Sequence, residues 1–226
     1  MEKLVNKINT YGFLRFLEDY PELSFKPLDG RNIILQGDFK FKANVNGFPS
    51  IKDSYELKIV IPENFPFNLP EVTEIGGKIP KEAEFHTNFD GTLCLGTPLR
   101  VFKELSKSSN INIYSDKFLV PYLYAVSHKL QYGGEFIFGE LSHGSLGIIE
   151  DYCDLLGLKK REQVIYALKL LCIGKKEANK RTCPCGCDVR LSSCNDTHRK
   201  LSELRKSVPR EYFVKDLKNL NTMLGT

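Results

Sequence analysis

Cysteine is the residue type in this chain that offers the widest chemistry, and its seven copies fall into two groups. One group of four lies within the twelve residues 183–194. The others, including Cys94, are far apart along the chain. Closely spaced cysteines are typical of a metal site, whereas an isolated cysteine is either a small buried hydrophobe or a nucleophile. The two groups therefore require separate explanations.

The segment 183–198, CPCGCDVRLSSCNDTH, combines four thiols with one imidazole. Structural zinc is bound by four Cys or His side chains in a tetrahedron. Gly186 allows the backbone to fold tightly around an ion. Because four cysteines in so short a stretch argue against unrelated thiols, we predict a structural zinc site, either a docking module for a partner or a staple for a C-terminal extension. The predicted ligands are Cys183, Cys185 and Cys194, with Cys187 or His198 as the fourth.

Cys94 lies in the segment 86–96, HTNFDGTLCLG, which concentrates polar side chains around a turn. Asp90-Gly91 is a turn dipeptide, because Gly91 adopts a positive φ without strain. Judged alone, a cysteine between two leucines is typical of a buried core residue. A role as a nucleophile therefore depends on the elements that position it.

The spacing of apolar residues predicts an α+β fold in which an antiparallel meander is flanked by helices. The stretch 76–117 reads as irregular, and the charged stretch 174–182 reads as a solvated linker. The predicted strands are 32–36, 39–45, 55–61 and 71–75, and the predicted helices are 3–17, 118–130, 146–157, 161–173 and 198–222.

The order of these features resembles the ubiquitin-conjugating enzyme (UBC-like) family. Residues 54–75, SYELKIVIPENFPFNLPEVTEI, are similar to its second and third strands and proline loop. His86-Thr87-Asn88 and Cys94-Leu95 are similar to its His-Pro-Asn box and the following Cys-Leu, although Thr87 stands where the family has proline. The form FDGTLCL is closer to bacterial members, including those in antiviral defence operons. The resemblance covers roughly residues 1–150 and is a fold-level analogy.

The resemblance implies that Cys94 carries the C-terminus of a ubiquitin-like protein as a thioester and passes it to an amine on a protein target. The partners would be that ubiquitin-like protein, an activating enzyme and the target. Asn88 would stabilise the oxyanion formed during transfer, and Asp90 would assist loss of the proton from the amine. His86 would shape the loop.

The cysteine cluster has a resemblance of its own. The Cys-Pro-Cys-Gly opening and the eight residues between Cys185 and Cys194 resemble the SEC-C zinc motif. That family places Cys or His directly after the third ligand, where this chain has Asn195. The motif implies zinc, and it leaves the fourth ligand open between Cys187 and His198.

We therefore predict two domains, a UBC-like conjugating domain at 1–158 and a helical extension with the zinc knuckle at 159–226. Two alternatives remain open. The protein is an inactive UBC-like adaptor that docks partners through its zinc module, or it is a cysteine hydrolase in which His86 or His128 activates Cys94.

Composition limits the partners. No stretch of eighteen apolar residues exists, so no membrane-spanning helix is predicted, and the N-terminus lacks the apolar core of a signal peptide. We expect a cytoplasmic protein. Lys and Arg number 32 against 28 Asp and Glu, a net charge of +4 that does not by itself predict a nucleic-acid partner, and we do not expect one.

Overall fold

The computed structural model describes residues 11–27, 31–138 and 144–224. These residues form two compact units, Met1–Gly139 and Glu140–Thr226. The first contains a sheet with helices, and the second is helical. Together they confirm the predicted α+β class.

The sheet of the first unit is an antiparallel meander in the order β1-β2-β3-β4. Along β3 and the second half of β2 the buried positions alternate with more exposed ones, and Leu35, Phe39, Leu57 and Ile59 are at most 1% exposed. This alternation is what a strand with one face on the core requires. The strands are β1 (Leu23–Lys26), β2 (Ile33–Ala43), β3 (Ile51–Ile61) and β4 (Glu71–Glu74).

Strand β2 is continuous, whereas the sequence predicted two shorter strands over the same stretch. Its register with β3 runs without interruption from Ile33–Ile61 to Ala43–Ile51. The gap between the two predicted strands falls at Gly37, whose φ of 148° brings the backbone close to β1. A Cβ at this position would lie 2.1 Å from the Glu22 carbonyl oxygen, so only glycine fits.

One helix of the first unit is almost completely buried along its middle. Its residues Leu123, Tyr124, Ala125 and Val126 are at most 1% exposed, and it packs against β2 and β3. A π-helical turn, Ser115–Leu119, leads into it. The helices are α1 (Phe13–Asp19), α2 (Pro98–Leu105), α3 (Ile111–Tyr114) and α4 (Val120–Tyr132). Helices α1 and α2 contact α3 more than they contact the buried helix α4.

Helices α2 and α3 overturn part of the prediction that 76–117 is irregular. Helix α2 begins at Pro98, whose fixed φ suits the first helical position, and it buries Leu99, Phe102 and Leu105. This apolar spacing is the signal that the glycines and prolines around it obscured. Of the predicted opening helix at 3–17, residues 3–10 lie outside the described residues, and the described part from residue 13 onward belongs to α1.

The second unit contains α5 (Gly144–Leu156), α6 (Arg161–Cys172), α7 (Lys175–Ala178), α8 (Asn195–Ser207) and α9 (Arg210–Leu224). The single tail helix predicted at 198–222 is two helices, because the chain is extended at Val208 and Pro209 has no N–H to continue a helix. The predicted boundary at 158/159 would assign α5 to the first domain; in the structure α5 contacts α6, α8 and α9. None of the described helices is long and apolar enough to cross a membrane.

Candidate functional site

Cys94 lies at the end of a small hairpin that follows β4. The Cys94 amide donates to the His86 carbonyl at 2.8 Å, and the Asn88 amide donates to the Thr92 carbonyl at 2.8 Å. The connecting turn is closed by the Gly91 amide on the Asn88 carbonyl at 2.9 Å, and Gly91 has a φ of 83°. The turn predicted at Asp90-Gly91 is therefore confirmed.

This hairpin is joined to the edge of the sheet. The Leu93 amide donates to the Val72 carbonyl at 2.8 Å, and Thr92 pairs with Thr73 as an antiparallel bridge. Leu93 is 7% exposed and belongs to the core of the first unit. Cys94 is half-buried and is not among the core residues. The sheet thus fixes the cysteine's position while the residue as a whole stays partly exposed.

Asn88 and Asp90 are linked through Thr92. The Asn88 side-chain amide donates to the Thr92 hydroxyl at 2.9 Å. The Thr92 hydroxyl and amide donate to the Asp90 carboxylate at 2.6 and 3.0 Å. These hydrogen bonds, with the hydroxyl contributing most, lower the pKa of Asp90. Since an amide has two N–H donors, Asn88 retains one beyond its bond to Thr92.

His86 determines the path of the chain opposite Cys94. Its φ of 52° is left-handed, an uncommon conformation for a residue other than glycine. Its ring contacts Phe136 edge to face, with centroids 4.7 Å apart. The side chain is thus held by an aromatic contact while the backbone carbonyl of the same residue accepts from the Cys94 amide, and the loop-shaping role of His86 stays a prediction.

Two side chains of α4 hold the residues before His86, and sequence reasoning missed both. The Tyr122 hydroxyl donates to the Phe85 carbonyl at 2.8 Å. Lys129 donates to the Glu84 carbonyl at 3.1 Å, and its ammonium lies 5.1 Å from the centre of the Phe85 ring. Burial raises the pKa of Tyr122, so it remains a neutral donor. Because both appear in the sequence as ordinary residues of an apolar helix, no local pattern distinguishes them.

The tip of the hairpin carries Phe89, whose side chain is fully exposed. Exposed single hydrophobic residues are common on protein surfaces. Because the Phe89 side chain is not buried, it adds no packing stability to the first unit. Phe89 lies in the same turn as Asn88 and Asp90. Sequence reasoning did not single it out.

The second candidate site is the cysteine cluster. The sulfur atoms of Cys183, Cys185, Cys187 and Cys194 all lie within 4.8 Å of one another. Cys183 Sγ is 3.2 Å from Cys185 Sγ, which is 3.9 Å from Cys194 Sγ. A tetrahedral ion with Zn–S bonds of about 2.3 Å separates its sulfur ligands by about 3.8 Å. The four thiols therefore have the donor set and spacing to hold a metal ion.

The backbone around these thiols is built for a tight loop. Gly186 and Asp188 both have left-handed φ values, 85° and 57°. The Cys183 amide donates to the Val189 carbonyl at 2.8 Å, and Thr182 pairs with Arg190. The chain thus turns back on itself between the second and third thiols, as the glycine in the sequence predicted.

The pKa values of the Cys194 and Cys183 thiols are shifted in opposite directions. Burial works to raise the pKa of Cys194, but hydrogen bonds from the backbone and hydroxyl of Thr197 together with those from the Cys183 and Cys185 thiols outweigh it and lower that pKa to about 6. Burial raises the pKa of Cys183. A thiolate that forms readily at one position favours metal binding, because thiols bind metal in their deprotonated form.

Gln163 of α6 connects the cluster to the helices. Its side-chain nitrogen donates to the Cys185 carbonyl at 2.9 Å. Its side-chain oxygen accepts the amides of Lys159 and Lys160, both at 3.0 Å. One side chain thus holds both the loop that carries the thiols and the N-terminus of α6.

The structure brings Cys187 into the cluster and leaves His198 outside it. The His198 backbone amide donates to the Cys194 carbonyl at 3.1 Å, in the first turn of α8. Its Nε2 is buried and has no hydrogen-bond partner within the described part of the chain. Of the two fourth ligands left open by the sequence, the geometry favours Cys187.

Comparisons with protein-family models, with curated proteins and with solved structures find no match for this chain.

Proposed function

We propose that the protein is a bacterial-type conjugating enzyme in which Cys94 carries the C-terminal acyl group of a ubiquitin-like protein. The observation that carries the proposal is the position of Cys94, half-buried and outside the core at the end of a hairpin bonded to the sheet edge. An antiparallel meander with a helix before it and helices after it also agrees with the expected order of elements.

The proposed reaction has two exchanges. The Cys94 thiolate attacks the thioester carbonyl of the modifier on its activating enzyme, forms a new C–S bond and expels that enzyme's thiolate. An amine of the protein target then attacks the Cys94 thioester through a tetrahedral oxyanion. Collapse of this intermediate forms the amide, releases the Cys94 thiolate and passes the amine proton to a base or to water.

The neighbours have distinct roles in this scheme. The free N–H of the Asn88 amide would donate to the oxyanion. A donor in this role contributes about 3 kcal/mol in comparable sites. Asp90, with its lowered pKa, is a weak proton acceptor and would act mainly by attracting the incoming ammonium. His86 would position the backbone opposite the nucleophile.

We further propose that the metal of the second unit is zinc. Four thiolates in tetrahedral spacing suit zinc among the common biological metals, although iron also accepts such a set. When bound, the ion would cross-link the loop, and the chain would supply the thiolates and the Gln163 contact. This role is structural, since all four positions are filled by protein ligands.

Incubation with ubiquitin that carries a C-terminal mercaptoethanesulfonate thioester tests the acyl-carrier role. We expect a reductant-sensitive adduct on the wild-type chain, a stable oxyester or no adduct for Cys94→Ser, and an unchanged adduct for Cys153→Ser. Cys153 is the matched control because it is also a half-buried free cysteine. An adduct that survives Cys94→Ser as a thioester contradicts the proposal.

A catalytically inactive adaptor is the second candidate. The observation in its favour is that the side chains of Asn88 and Asp90 both form hydrogen bonds with Thr92. These bonds stabilise the turn, which gives both residues a structural role without catalysis. An adaptor would form no adduct, and Cys94→Ser would leave partner binding unchanged. A hydrolase would instead release free ubiquitin from the thioester without accumulating an adduct.

A further inference from the structure

Positive charge is unevenly distributed between the two units. The second unit, Glu140–Thr226, has sixteen Lys and Arg against eleven Asp and Glu, a net charge of +5. The first unit has sixteen against seventeen, a net charge of −1. The modest net charge of the whole chain therefore conceals a distinctly basic helical unit. This distribution reopens the question of a polyanionic partner, which the whole-chain charge had led us not to expect.

Three consecutive cations, Lys159, Lys160 and Arg161, lie at the N-terminus of α6. All three are exposed, and none forms an ion pair within the described ranges 11–27, 31–138 and 144–224. The N-terminus of a helix carries partial positive charge, so cations there are locally unfavourable. The positive charges of this triplet therefore do not stabilise α6 through its dipole.

The triplet borders the cysteine cluster. Gln163 accepts from the backbone amides of Lys159 and Lys160 and donates to the Cys185 carbonyl, which fixes the two segments side by side. On the loop itself, Arg190 is exposed, and its backbone pairs with Thr182 beside the first thiol. We call Lys159, Lys160, Arg161 and Arg190 the basic rim.

Several other cations of this unit have partners. Arg199 bonds to Asp196 and Glu203, and Lys200 to Asp196 at 2.8 Å. Arg205 instead caps the C-terminal end of α6 by donating to the carbonyls of Leu171 at 3.3 Å and of Ile173, the residue just after the helix ends, at 2.8 Å. The rim cations differ from these in having no acidic partner in the described part of the unit, although Lys160 is also the N-cap residue of α6.

We infer that the basic rim binds nucleic acid through its phosphates, without reading the base sequence. Phosphates require only accessible cations, and long Lys and Arg side chains supply them. A protein partner would need buried aromatic or aliphatic anchors. On the described loop beside the rim, Val189 is an exposed aliphatic side chain, with 42% of its surface exposed. A single valine is a small anchor for a protein interface, so the rim fits a phosphate-bearing partner better. The inference is independent of the chemistry proposed for Cys94.

A salt titration of binding to a fluorescein-labelled DNA duplex tests this inference with the full, metal-loaded chain. Each neutralised phosphate contributes about −0.9 to the slope of log K against log salt concentration, so four rim cations predict a slope of about −3.6. The triple variant Lys159→Glu, Lys160→Glu, Arg161→Glu should bind at least about tenfold more weakly and retain a slope of about −0.9.

The matched control reverses an equal number of exposed lysines elsewhere in the unit, Lys169, Lys206 and Lys218. It should retain the wild-type slope. If it loses as much affinity as the rim variant, only the net charge matters and the assigned surface is wrong. The alanine version of the rim variant, with its metal content and circular dichroism measured alongside, separates lost binding from lost folding.

Three further outcomes would overturn the inference. Wild-type protein that does not bind the duplex at low salt has no such site. Polyglutamate that displaces the protein as effectively as unlabelled duplex would indicate an acidic protein partner. Rim variants that lose metal but bind DNA normally would show that these cations offset the negative charge of the metal–thiolate centre.

Discussion

Asp216 of α9 offers a quantitative test of the packing in the second unit. It is 8% exposed and accepts a hydrogen bond from the Tyr152 hydroxyl of α5 at 2.9 Å. Burial raises the pKa of this carboxyl to about 6, although the bond from Tyr152 and the charge of Lys215 act in the opposite direction. The carboxylate is therefore an unfavourable charge in the folded protein at neutral pH.

The sign and size of its effect on stability follow from this shift. The folded state holds the Asp216 proton up to about pH 6, whereas the unfolded chain releases it near pH 4. The free energy of unfolding therefore falls as pH rises through this window, and the loss is complete above it. A shift of about two pKa units corresponds to about 3 kcal/mol, which is an upper value for the effect.

Asp216→Asn should remove this charge while its amide oxygen still accepts from Tyr152. We expect the variant to be more stable than the wild type at pH 8, by up to about 3 kcal/mol, and nearly equal to it at pH 4. Urea unfolding followed by circular dichroism from pH 4 to pH 8 measures the difference. The metal site is common to both proteins, so its own pH dependence cancels.

Two further variants test this interpretation, one as a control and one that removes the hydrogen-bond donor. Glu211→Gln removes an exposed acid of the same helix and should change stability by no more than about 0.5 kcal/mol. Tyr152→Phe leaves the buried carboxylate without its donor and should cost about 1–3 kcal/mol at pH 8. A difference between wild type and Asp216→Asn that does not vary with pH, or that favours the wild type at pH 8, would refute the reasoning.

Three further changes have defined outcomes. Cys187→Ser should weaken binding of cobalt, measured by its thiolate charge-transfer absorption, whereas His198→Ala should not; equal losses would indicate that both side chains serve the site. Gly37→Ala should destabilise the first unit by at least about 1–3 kcal/mol in thermal unfolding, because its Cβ would meet the Glu22 carbonyl; an unchanged melting temperature would contradict the close approach of β1. Arg205→Ala should cost about 1–3 kcal/mol in urea unfolding, because it leaves carbonyls at the end of α6 without a donor, and a neutral result would show that water replaces it.

Elements with a clear period could be predicted from the sequence. The alternation over 55–61 lies within β3, and the apolar run over 118–130 lies mostly within α4. Helix α2 was missed because glycine, proline and serine around it mask a short apolar period. The break at Pro209 was missed because charged residues on both sides continue the helical pattern.

The two sites differed in how much the sequence could specify. Four thiols within twelve residues need only a short loop to come together, so the metal cluster could be predicted from residue type and spacing. The choice of Cys187 over His198 depends on the loop conformation, which spacing does not determine. The surroundings of Cys94 include Tyr122 and Lys129, which approach from a helix distant in sequence and carry no local signature.

The most direct test of the acyl-carrier proposal is discharge of a preformed Cys94 thioester by free lysine. Ubiquitin would first be exchanged onto the chain, and loss of the adduct on addition of lysine would be followed by intact mass. We predict amide formation that Asn88→Ala slows by about 10²-fold, with loading unaffected, because the amide acts on the oxyanion of the second step. A thioester no more reactive toward lysine than a small-molecule thioester, or equal slowing of both steps, would contradict the account.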